Sequence, residues 1–361
     1  MPKSTNVTQD SARTLLGSYF PMIRTRETIL QEIQDSPKLT AVYENWNPQQ
    51  RQLFLDACTG VRGVKVLYDA FFKEIMNPEY TPERLERFLS LVLKQHVKVV
   101  QVLPNDSSRI AEENALLIMD IVVELSDGSI ANVEVQKIGY RFPGERCACY
   151  SADLLLRQYK RVRADWKGKR FSYENIKNVY TIVLFEKSPA AFQAFPEVFL
   201  HHSAQKTDTG VKINLLQEYN FITLDIFRKN IYNRGIRNEL DAWLTFFSVD
   251  EPERIVELFT KYPMFRSMYE QIYNMCLNME NVMGLFSKEL KQLDDNTVAY
   301  MIDELQELLD KEKEHAEQAE ARADKAAQEA MDEKNRADKA EQEALVLKEE
   351  LQRLRAQLEE K

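Results

Sequence analysis

The segment LLIMDIVVELSDGSIANVEVQ, residues 116–136, carries the strongest indication of the fold. Two runs rich in β-branched and other apolar residues, 116–125 and 129–136, lie on either side of Ser126-Asp127-Gly128. Runs of this kind that are joined by a short turn containing glycine predict an antiparallel β-hairpin.

The length of the turn decides which side chains share a face of the hairpin. A two-residue turn would put Asp120 and Glu134 on opposite faces. A three-residue turn pairs Asp120 with Glu134, and its third position favours the left-handed backbone that Gly128 adopts readily. We favour the three-residue turn because its register gathers six apolar side chains on the other face: Ile121, Val123, Leu125, Ala131, Val133 and Val135.

The polar face of the hairpin carries the candidate catalytic residues Asp120, Glu134 and Gln136. Two carboxylates that lie directly opposite each other have Cβ atoms about 5 Å apart. Such a pair suits a hard divalent cation that takes oxygen ligands, namely Mg²⁺, or Mn²⁺ or Ca²⁺ in its place. Gln136 would point to the same side and could orient a water or a phosphate. The alternative is an ordinary amphipathic hairpin with a solvent-exposed polar face.

The segment after the hairpin is strongly basic. Residues 157–170, RQYKRVRADWKGKR, contain seven Lys or Arg residues and one Asp. Clusters of this kind bind phosphate backbones, although a solvated charged helix is the alternative. Carboxylates for a metal ion next to basic groups for a polyanion favour a nucleic acid as the partner.

The rest of the chain predicts a mixed α/β fold. Cap residues followed by proline begin helices at Asn47-Pro48 and Thr81-Pro82, and a further helix covers 24–34. A helix over about 145–164 follows the hairpin, and VYTIVLFE, residues 179–186, predicts a short strand. Residues 236–290 return to a helical pattern.

Length and composition exclude several classes of protein. With 361 residues, 44% of them hydrophobic, the chain is long enough to bury a large core. It contains no apolar run of the roughly 18 residues that cross a bilayer and no apolar leader. Its four cysteines make a poor disulfide framework. We therefore expect a cytoplasmic protein with no membrane partner.

The C-terminal segment has a heptad pattern. Apolar residues recur at alternating spacings of three and four from Ile302 to Leu358, interrupted only by Glu312 and Glu333. This pattern predicts a coiled coil, and hence a homo-oligomer formed through residues 302–358, with an unpaired charged helix as the alternative. Residues 301–361 contain 11 basic and 19 acidic residues, so they account for most of the net charge of −9. The remainder is nearly neutral and can carry a basic groove.

The order of motifs along the chain resembles that of a known family, the PD-(D/E)XK nuclease family transposases, a group related to the Rpn recombination-promoting nucleases. Residues 68–79, YDAFFKEIMNPE, are similar to the opening segment of that family. The matching motifs that follow are Asp120, Asp127-Gly128, the NVEVQ segment at 132–136, Arg146, Tyr150 and Gln158.

This resemblance implies a restriction-endonuclease-like core, a mixed sheet flanked by helices, that hydrolyses DNA with a divalent metal ion. It implies that Asp120 and Glu134 bind the metal, with Glu86 as a candidate further ligand. Gln136 stands where the superfamily usually has a lysine, so it can position a water but cannot supply positive charge. The residues expected to contact DNA are Arg146, Tyr150, Arg157, Gln158, Lys160, Arg161 and Arg163.

The predicted organisation has four parts: an N-terminal helical lead-in (1–60), a nuclease-like core (61–235), a helical subdomain (236–295) and a coiled-coil arm (296–361). The predicted function is that of a metal-dependent DNA endonuclease acting in recombination or in a mobile element. The alternative is a catalytically degenerate scaffold that binds DNA or protein and is oligomerised through its coiled coil. The neutral Gln136 and the acidic arm are the features that favour this alternative.

Overall fold

The computed structural model describes residues 13–104, 120–137, 143–165 and 171–359. The chain begins with short helices, α1 (Leu15–Tyr19), α2 (Arg26–Gln34), α3 (Pro37–Asn45) and α4 (Pro48–Thr59). Two further helices, α5 (Asp69–Ile75) and α6 (Pro82–Leu93), precede the sheet. The helices predicted over 24–34, from Pro48 and from Pro82 are confirmed.

Helix α4 shows why these local predictions succeed. The side chain of Asn47 accepts a hydrogen bond of 2.9 Å from the backbone N–H of Gln50, and the side chain of Gln50 accepts one of 2.9 Å from the N–H of Asn47. At the other end, Gly60 ends the helix with a φ of +68°. Each of these signals acts within a few residues, so both ends of the helix can be predicted from the local sequence.

In the described part of the chain, six strands form one mixed sheet in the order β1-β2-β3-β4-β6-β5. Strands β3 and β6 are both parallel to β4, and the other neighbours are antiparallel. The strands are β1 (Val99–Val102), β2 (Ile121–Leu125), β3 (Ile130–Gln136), β4 (Val179–Phe185), β5 (Leu200–Ala204) and β6 (Gln217–Thr223). The α/β prediction is confirmed, although β1, β5 and β6 were not predicted. Residues 116–119 of the predicted first hairpin strand lie outside the described residues.

The predicted hairpin register is also confirmed. Ile121 pairs with Val133, and the pairing continues to the turn, where the N–H of Leu125 donates to the carbonyl oxygen of Ser129 at 2.8 Å. Gly128 takes the third position of the turn with a φ of +85°. A side chain at this position would strain the backbone, which is why glycine stands there.

The sheet is covered by helices on both faces. Its apolar face, with Val123, Val133 and Ile182, belongs to the main hydrophobic core. The opposite face lies under α7 (Pro143–Asp165), from which Tyr150 and Leu154 pack against the strands. The remaining helices are α8 (Ala190–Gln193), α9 (Leu224–Arg234), α10 (Glu239–Ser248), α11 (Pro252–Lys261), α12 (Met264–Met275) and α13 (Met279–Glu359).

The chain forms two compact units that divide after Val298. In the first, one continuous core contains residues from the predicted lead-in, nuclease-like core and helical subdomain, such as Phe54, Phe72 and Phe286. These three segments therefore build one compact body. In the second, α13 continues as a helix on which Leu309, Leu347 and other leucines are exposed. None of the helices in the described ranges combines the length and apolar character needed to cross a membrane.

Candidate active site

The hairpin brings Asp120 and Glu134 together. The observed register, continued by one residue beyond Ile121, puts Asp120 opposite Glu134. Oδ2 of Asp120 accepts a hydrogen bond of 2.6 Å from the backbone N–H of Val135, which fixes the aspartate at the end of β3. Alternation along β3 directs Gln136 to the same side of the sheet as Glu134. The three predicted catalytic residues therefore share one site.

The polar face of the hairpin is buried. Asn132, Glu134 and Gln136 have exposed fractions of 0%, 3% and 2% because α7 lies over them. The alternative of an ordinary hairpin with a solvent-exposed polar face is contradicted by this burial. Removing an ionisable side chain from water is costly unless it is paired, which favours a functional reason for Glu134.

Both carboxylates have raised pKa values. Burial raises the pKa of Glu134 to about 8, and the neighbouring charge of Asp120 adds to this effect against the opposing charge of Arg146. Burial also raises the pKa of Asp120, although the hydrogen bond from Val135 and the charge of Lys73 act in the other direction. Close carboxylates with raised pKa values form an environment that a cation stabilises.

The donor atoms suit a hard divalent cation. Oε1 of Glu134 and both amide atoms of Gln136 are buried and have no hydrogen-bond partner among the described residues. Within those same residues, no group of three or more His, Cys, Asp or Glu side chains is arranged to hold a metal ion. Mg²⁺ is commonly held by only one or two carboxylates, with waters and substrate phosphates as its other ligands. The pair formed by Asp120 and Glu134 therefore fits such an ion.

Lys73 is a site residue that sequence reasoning missed. It extends from α5 with Nζ 3.7 Å from Oδ1 of Asp120 and 2.7 Å from Oδ1 of Asp69. Burial lowers the pKa of Lys73, but the hydrogen bond to Asp69 and the charge of Asp120 outweigh burial and leave the pKa raised. The site thus has an ammonium group next to Asp120, held in place and partly neutralised by Asp69, although Gln136 provides no charge. The YDAFFKE segment, residues 68–74, resembles the opening segment of the family, but nothing in the sequence near Lys73 indicates that it reaches the hairpin.

Lys137 points away from the carboxylates, as expected for the next residue on a strand. Its ammonium group forms a buried ion pair with Glu289 on α13 and lies 5.6 Å from the centre of the Tyr68 ring. The other oxygen of Glu289 accepts a hydrogen bond of 2.6 Å from the backbone N–H of Asp69. Glu289 therefore connects the end of β3 to the start of α5, the helix that carries Lys73.

Glu86 does not lie with the candidate metal ligands. Its Oε1 accepts a hydrogen bond of 3.0 Å from the N–H of Val99, and its Oε2 lies 2.8 Å from Nζ of Lys98. Val99 pairs with Leu125, at the turn end of the hairpin. Five residues of strand separate that end from Asp120, a distance of about 17 Å. The structure thus corrects the expectation for Glu86, because its carboxylate fixes the start of β1.

The first turns of α7 contact the carboxylate site. The guanidinium group of Arg146 lies 5.2 Å from the centre of the Tyr150 ring, and its charge lowers the pKa of Glu134 against burial. Tyr150 is buried in the small core beneath α7. Arg146 is therefore suited to a phosphate at this site, whereas Tyr150 packs the helix onto the sheet.

The other predicted DNA-binding residues divide into three groups. Arg157 pairs with Asp153 at 2.6 Å, and Arg161 pairs with Glu124 at 2.9 Å, so both are largely neutralised. The buried Gln158 is a structural residue: its Nε2 donates to the carbonyl oxygen of Gly128 at 2.9 Å, and its Oε1 accepts from the N–H of Lys177 at 2.8 Å. The exposed members of the set are Lys160 and Arg163.

Comparison with protein families gave one finding. A family model described as PD-(D/E)XK nuclease family transposase matches residues 66–301, about two thirds of the chain. The matched range includes α5, the hairpin and α7. Comparison with curated proteins and with solved structures gave no match.

Proposed function

Because the chain belongs to the PD-(D/E)XK nuclease family transposases, we propose that this nuclease is a divalent-metal-dependent endonuclease that hydrolyses phosphodiester bonds in DNA. The observation that carries the proposal is the pair formed by the buried Glu134 and the half-buried Asp120, which have raised pKa values and an unpaired oxygen on Glu134. A role in recombination or in a mobile element is part of the same proposal. So is a cytoplasmic location, which is supported by the four free cysteines.

In this proposal Asp120 and Glu134 hold the metal ion. When bound, the ion supplies Lewis-acid stabilisation of phosphoryl charge and lowers the pKa of a water ligand. The amide of Gln136 orients the attacking water, and Lys73 supplies the positive charge that a neutral Gln136 cannot. Arg146 holds the phosphate, while Lys160 and Arg163 contact the DNA backbone farther along α7.

The direct test is cleavage of a supercoiled plasmid by the purified full-length chain. Mg²⁺, Mn²⁺ and Ca²⁺ are added separately, each beside a sample with EDTA. We expect nicked or linear product with Mg²⁺ or Mn²⁺ and none with EDTA. Failure to cleave with any of the three ions would contradict the endonuclease proposal.

That failure would favour a second candidate, a degenerate nuclease that binds DNA as a scaffold. The neutral Gln136 is the observation behind this candidate. Retention of DNA binding without cleavage, measured by gel shift in the same buffers, would support it.

Lys73 gives a specific prediction. We expect Lys73→Gln to lower the cleavage rate about 10- to 1000-fold, as for the loss of other groups that stabilise transition-state charge. Lys73→Arg should restore part of the rate because it keeps the charge. Lys98→Gln is the matched control, since Lys98 also pairs with a carboxylate but lies at the turn end of the hairpin. Equal rates for Lys73→Gln and Lys98→Gln would remove Lys73 from the mechanism.

We also propose that the arm makes the protein a homo-oligomer through residues 302–358. Exposed leucines on the heptad seam support this, such as Leu347 at 61% and Leu351 at 54%. Leu347→Asp should reduce the mass of the particle in light scattering, because a charge in a coiled-coil seam opposes pairing. Leu345→Asp is the matched control, since Leu345 is similarly exposed at 56% but lies off the seam. No change of mass with Leu347→Asp would contradict pairing through the seam.

A further inference from the structure

An exposed aromatic cluster lies at the end of α7, away from the carboxylates. It consists of Tyr159, Phe171 and Tyr173. The rings of Tyr159 and Tyr173 are nearly parallel, with centres 6.2 Å apart, and Phe171 meets both rings edge-on at 5.7 Å and 5.1 Å. Tyr173 is 72% exposed, whereas the large aromatic groups of the main core, such as Trp243, are buried. Tyr173 thus presents its ring to solvent and is in contact with the half-buried rings of Tyr159 and Phe171.

Positive charge surrounds this aromatic cluster. The guanidinium group of Arg163 lies 5.8 Å from the centre of the Tyr159 ring and donates a hydrogen bond of 2.6 Å to its hydroxyl group. The exposed Lys160 follows Tyr159 on α7, and the exposed Lys177 lies four residues after Tyr173, where its Nζ donates to the carbonyl oxygen of Glu174 at 3.3 Å. Within the described ranges, none of these three cations forms an ion pair with a carboxylate. The exposed Glu174, next to Tyr173 in the chain, carries an opposing charge.

Rings and cations in this combination match one ligand chemistry. Aromatic side chains stack on bases only where the bases are not paired within a duplex, and lysine and arginine neutralise the phosphates that connect them. A packing role alone does not require an exposed ring with nearby cations that lack a carboxylate partner. The combination therefore favours a nucleic acid strand with accessible bases over a protein partner.

The cluster also has a suitable position relative to the candidate active site. Arg146, beside Glu134, and Tyr159 lie thirteen residues apart on α7, about 20 Å along the helix axis. At about 3.4 Å per nucleotide, this distance corresponds to about six nucleotides of one strand. A strand whose phosphate lies at the carboxylates can thus reach the cluster.

We propose that the aromatic cluster is a stacking site for unpaired bases, so that the substrate is DNA with a single-stranded segment about six nucleotides from the cleaved bond. This inference rests on the proposed nuclease function for its substrate, but the stacking itself does not require catalysis. Tyr173 provides the exposed ring, and Lys160, Arg163 and Lys177 hold the phosphates.

Binding measurements in EDTA test the site without cleavage. A labelled 12-nucleotide oligo-dT strand and a duplex of equal length are titrated with the full-length chain, and binding is followed by fluorescence anisotropy. We expect the single strand to bind more tightly, and Tyr173→Ala to weaken its binding about 5- to 100-fold while duplex affinity changes less than about twofold. The fluorescence of 2-aminopurine in such a strand should be quenched on binding to the parent protein and not on binding to Tyr173→Ala.

Two variants serve as controls. Tyr173→Phe keeps the ring and should bind the strand as the parent does. Tyr80→Ala removes a tyrosine that is equally exposed, at 76%, but lies before α6, and it should also bind normally. Unchanged strand binding by Tyr173→Ala, or equal weakening of strand and duplex, would overturn the stacking site. Tighter binding of a matched RNA strand would overturn the assignment to DNA.

The plasmid assay separates this inference from the nuclease proposal. Plasmid cleavage together with normal strand binding by Tyr173→Ala overturns the stacking site alone. Binding that depends on Tyr173 without any cleavage supports the stacking site and overturns the nuclease proposal.

Discussion

Glu134→Gln is expected to lower plasmid cleavage by about 1000-fold or more, because it removes one of the two carboxylates proposed to hold the metal ion. Metal ions supply several kcal/mol of transition-state stabilisation, and each 1.4 kcal/mol or so corresponds to a factor of ten in rate. The exchange keeps the shape of the side chain, so that loss of activity reports loss of a ligand. Asp120→Asn should have the same effect.

The hairpin offers a matched control for this substitution. Glu124 lies on the same polar face but pairs with Arg161 and accepts a hydrogen bond of 2.6 Å from Gln101, at the turn end of the strand. Glu124→Gln should therefore cleave within about twofold of the parent rate, because Glu124 lies four residues along the strand, about 13 Å, from Asp120. Normal cleavage by Glu134→Gln and Asp120→Asn would contradict the assignment of these residues to the active site.

The same variant should change the pH dependence of stability. The pKa of Glu134 is about 8 in the folded, metal-free protein, against an ordinary value of 4.5. Between these two values Glu134 binds more proton in the folded chain than in the unfolded chain, so the stability that its proton contributes is greatest below about pH 4.5 and is lost by about pH 8. Glutamine does not titrate in this range, so it adds no such pH dependence. The free energy of unfolding of Glu134→Gln should therefore exceed that of the parent by a few kcal/mol at pH 8, and by less at pH 5.

Added metal ion should oppose this loss of stability with rising pH in the parent protein. Mg²⁺ competes with the proton on Glu134, so its stabilising effect should grow from pH 6 to pH 8. Denaturant titrations at these values, with Mg²⁺ and with EDTA, measure the effect. A parent protein whose stability does not respond to Mg²⁺ at pH 8 would contradict metal binding by Glu134.

Glu289→Ala is expected to lower the free energy of unfolding by about 3–5 kcal/mol, the usual loss when one member of a buried ion pair is removed. Lys137 and Glu289 have side-chain exposures of only 5% and 4%, so Lys137 would retain an uncompensated buried charge. The backbone N–H of Asp69 would lose its acceptor as well. Chemical denaturation followed by circular dichroism measures the loss.

Two comparisons separate the buried pair from general effects of helix substitution. Glu280→Ala breaks an exposed ion pair, in which the side chain of Lys38 is 71% exposed and that of Glu280 is 67% exposed. It should lower the free energy of unfolding by less than about 1 kcal/mol. Replacing both members of the buried pair, with Lys137→Met and Glu289→Leu, should recover much of the loss because no charge is left buried. Equal stabilities for Glu289→Ala and Glu280→Ala would show that the buried pair contributes little.

The sequence predicted the hairpin well because its evidence is local. The alternation of apolar residues and the left-handed turn position that favours Gly128 both act within a few residues. Together they place Asp120 opposite Glu134. Strands β1 and β5 escaped prediction because they are short and largely exposed at the two edges of the sheet. Strand β6 lies inside the sheet, but its first residues are only half-buried, so its alternation is weak. Their places depend on pairing with distant strands.

Other features of the site could not be predicted, because they depend on contacts between distant parts of the chain. Lys73 reaches Asp120 only because α5 packs near the end of β3, and nothing local to Lys73 reports this. Gln158 matched the family pattern and was expected to contact DNA, yet its amide binds the hairpin turn to the segment before β4. A polar residue on a basic helix has the same sequence pattern whether it contacts DNA or forms hydrogen bonds within the protein.

The shared core has a consequence for synthesis on the ribosome. Trp46 donates a hydrogen bond of 3.2 Å to Ser287, 241 residues later, and the rings of Phe54 and Phe286 lie 5.1 Å apart. At about 5–20 residues per second, the first helices wait about 12–48 s for the partners that cover them. Nascent chains that stop before α13 should therefore keep these apolar surfaces uncovered, and they are expected to be the main targets of ribosome-associated chaperones.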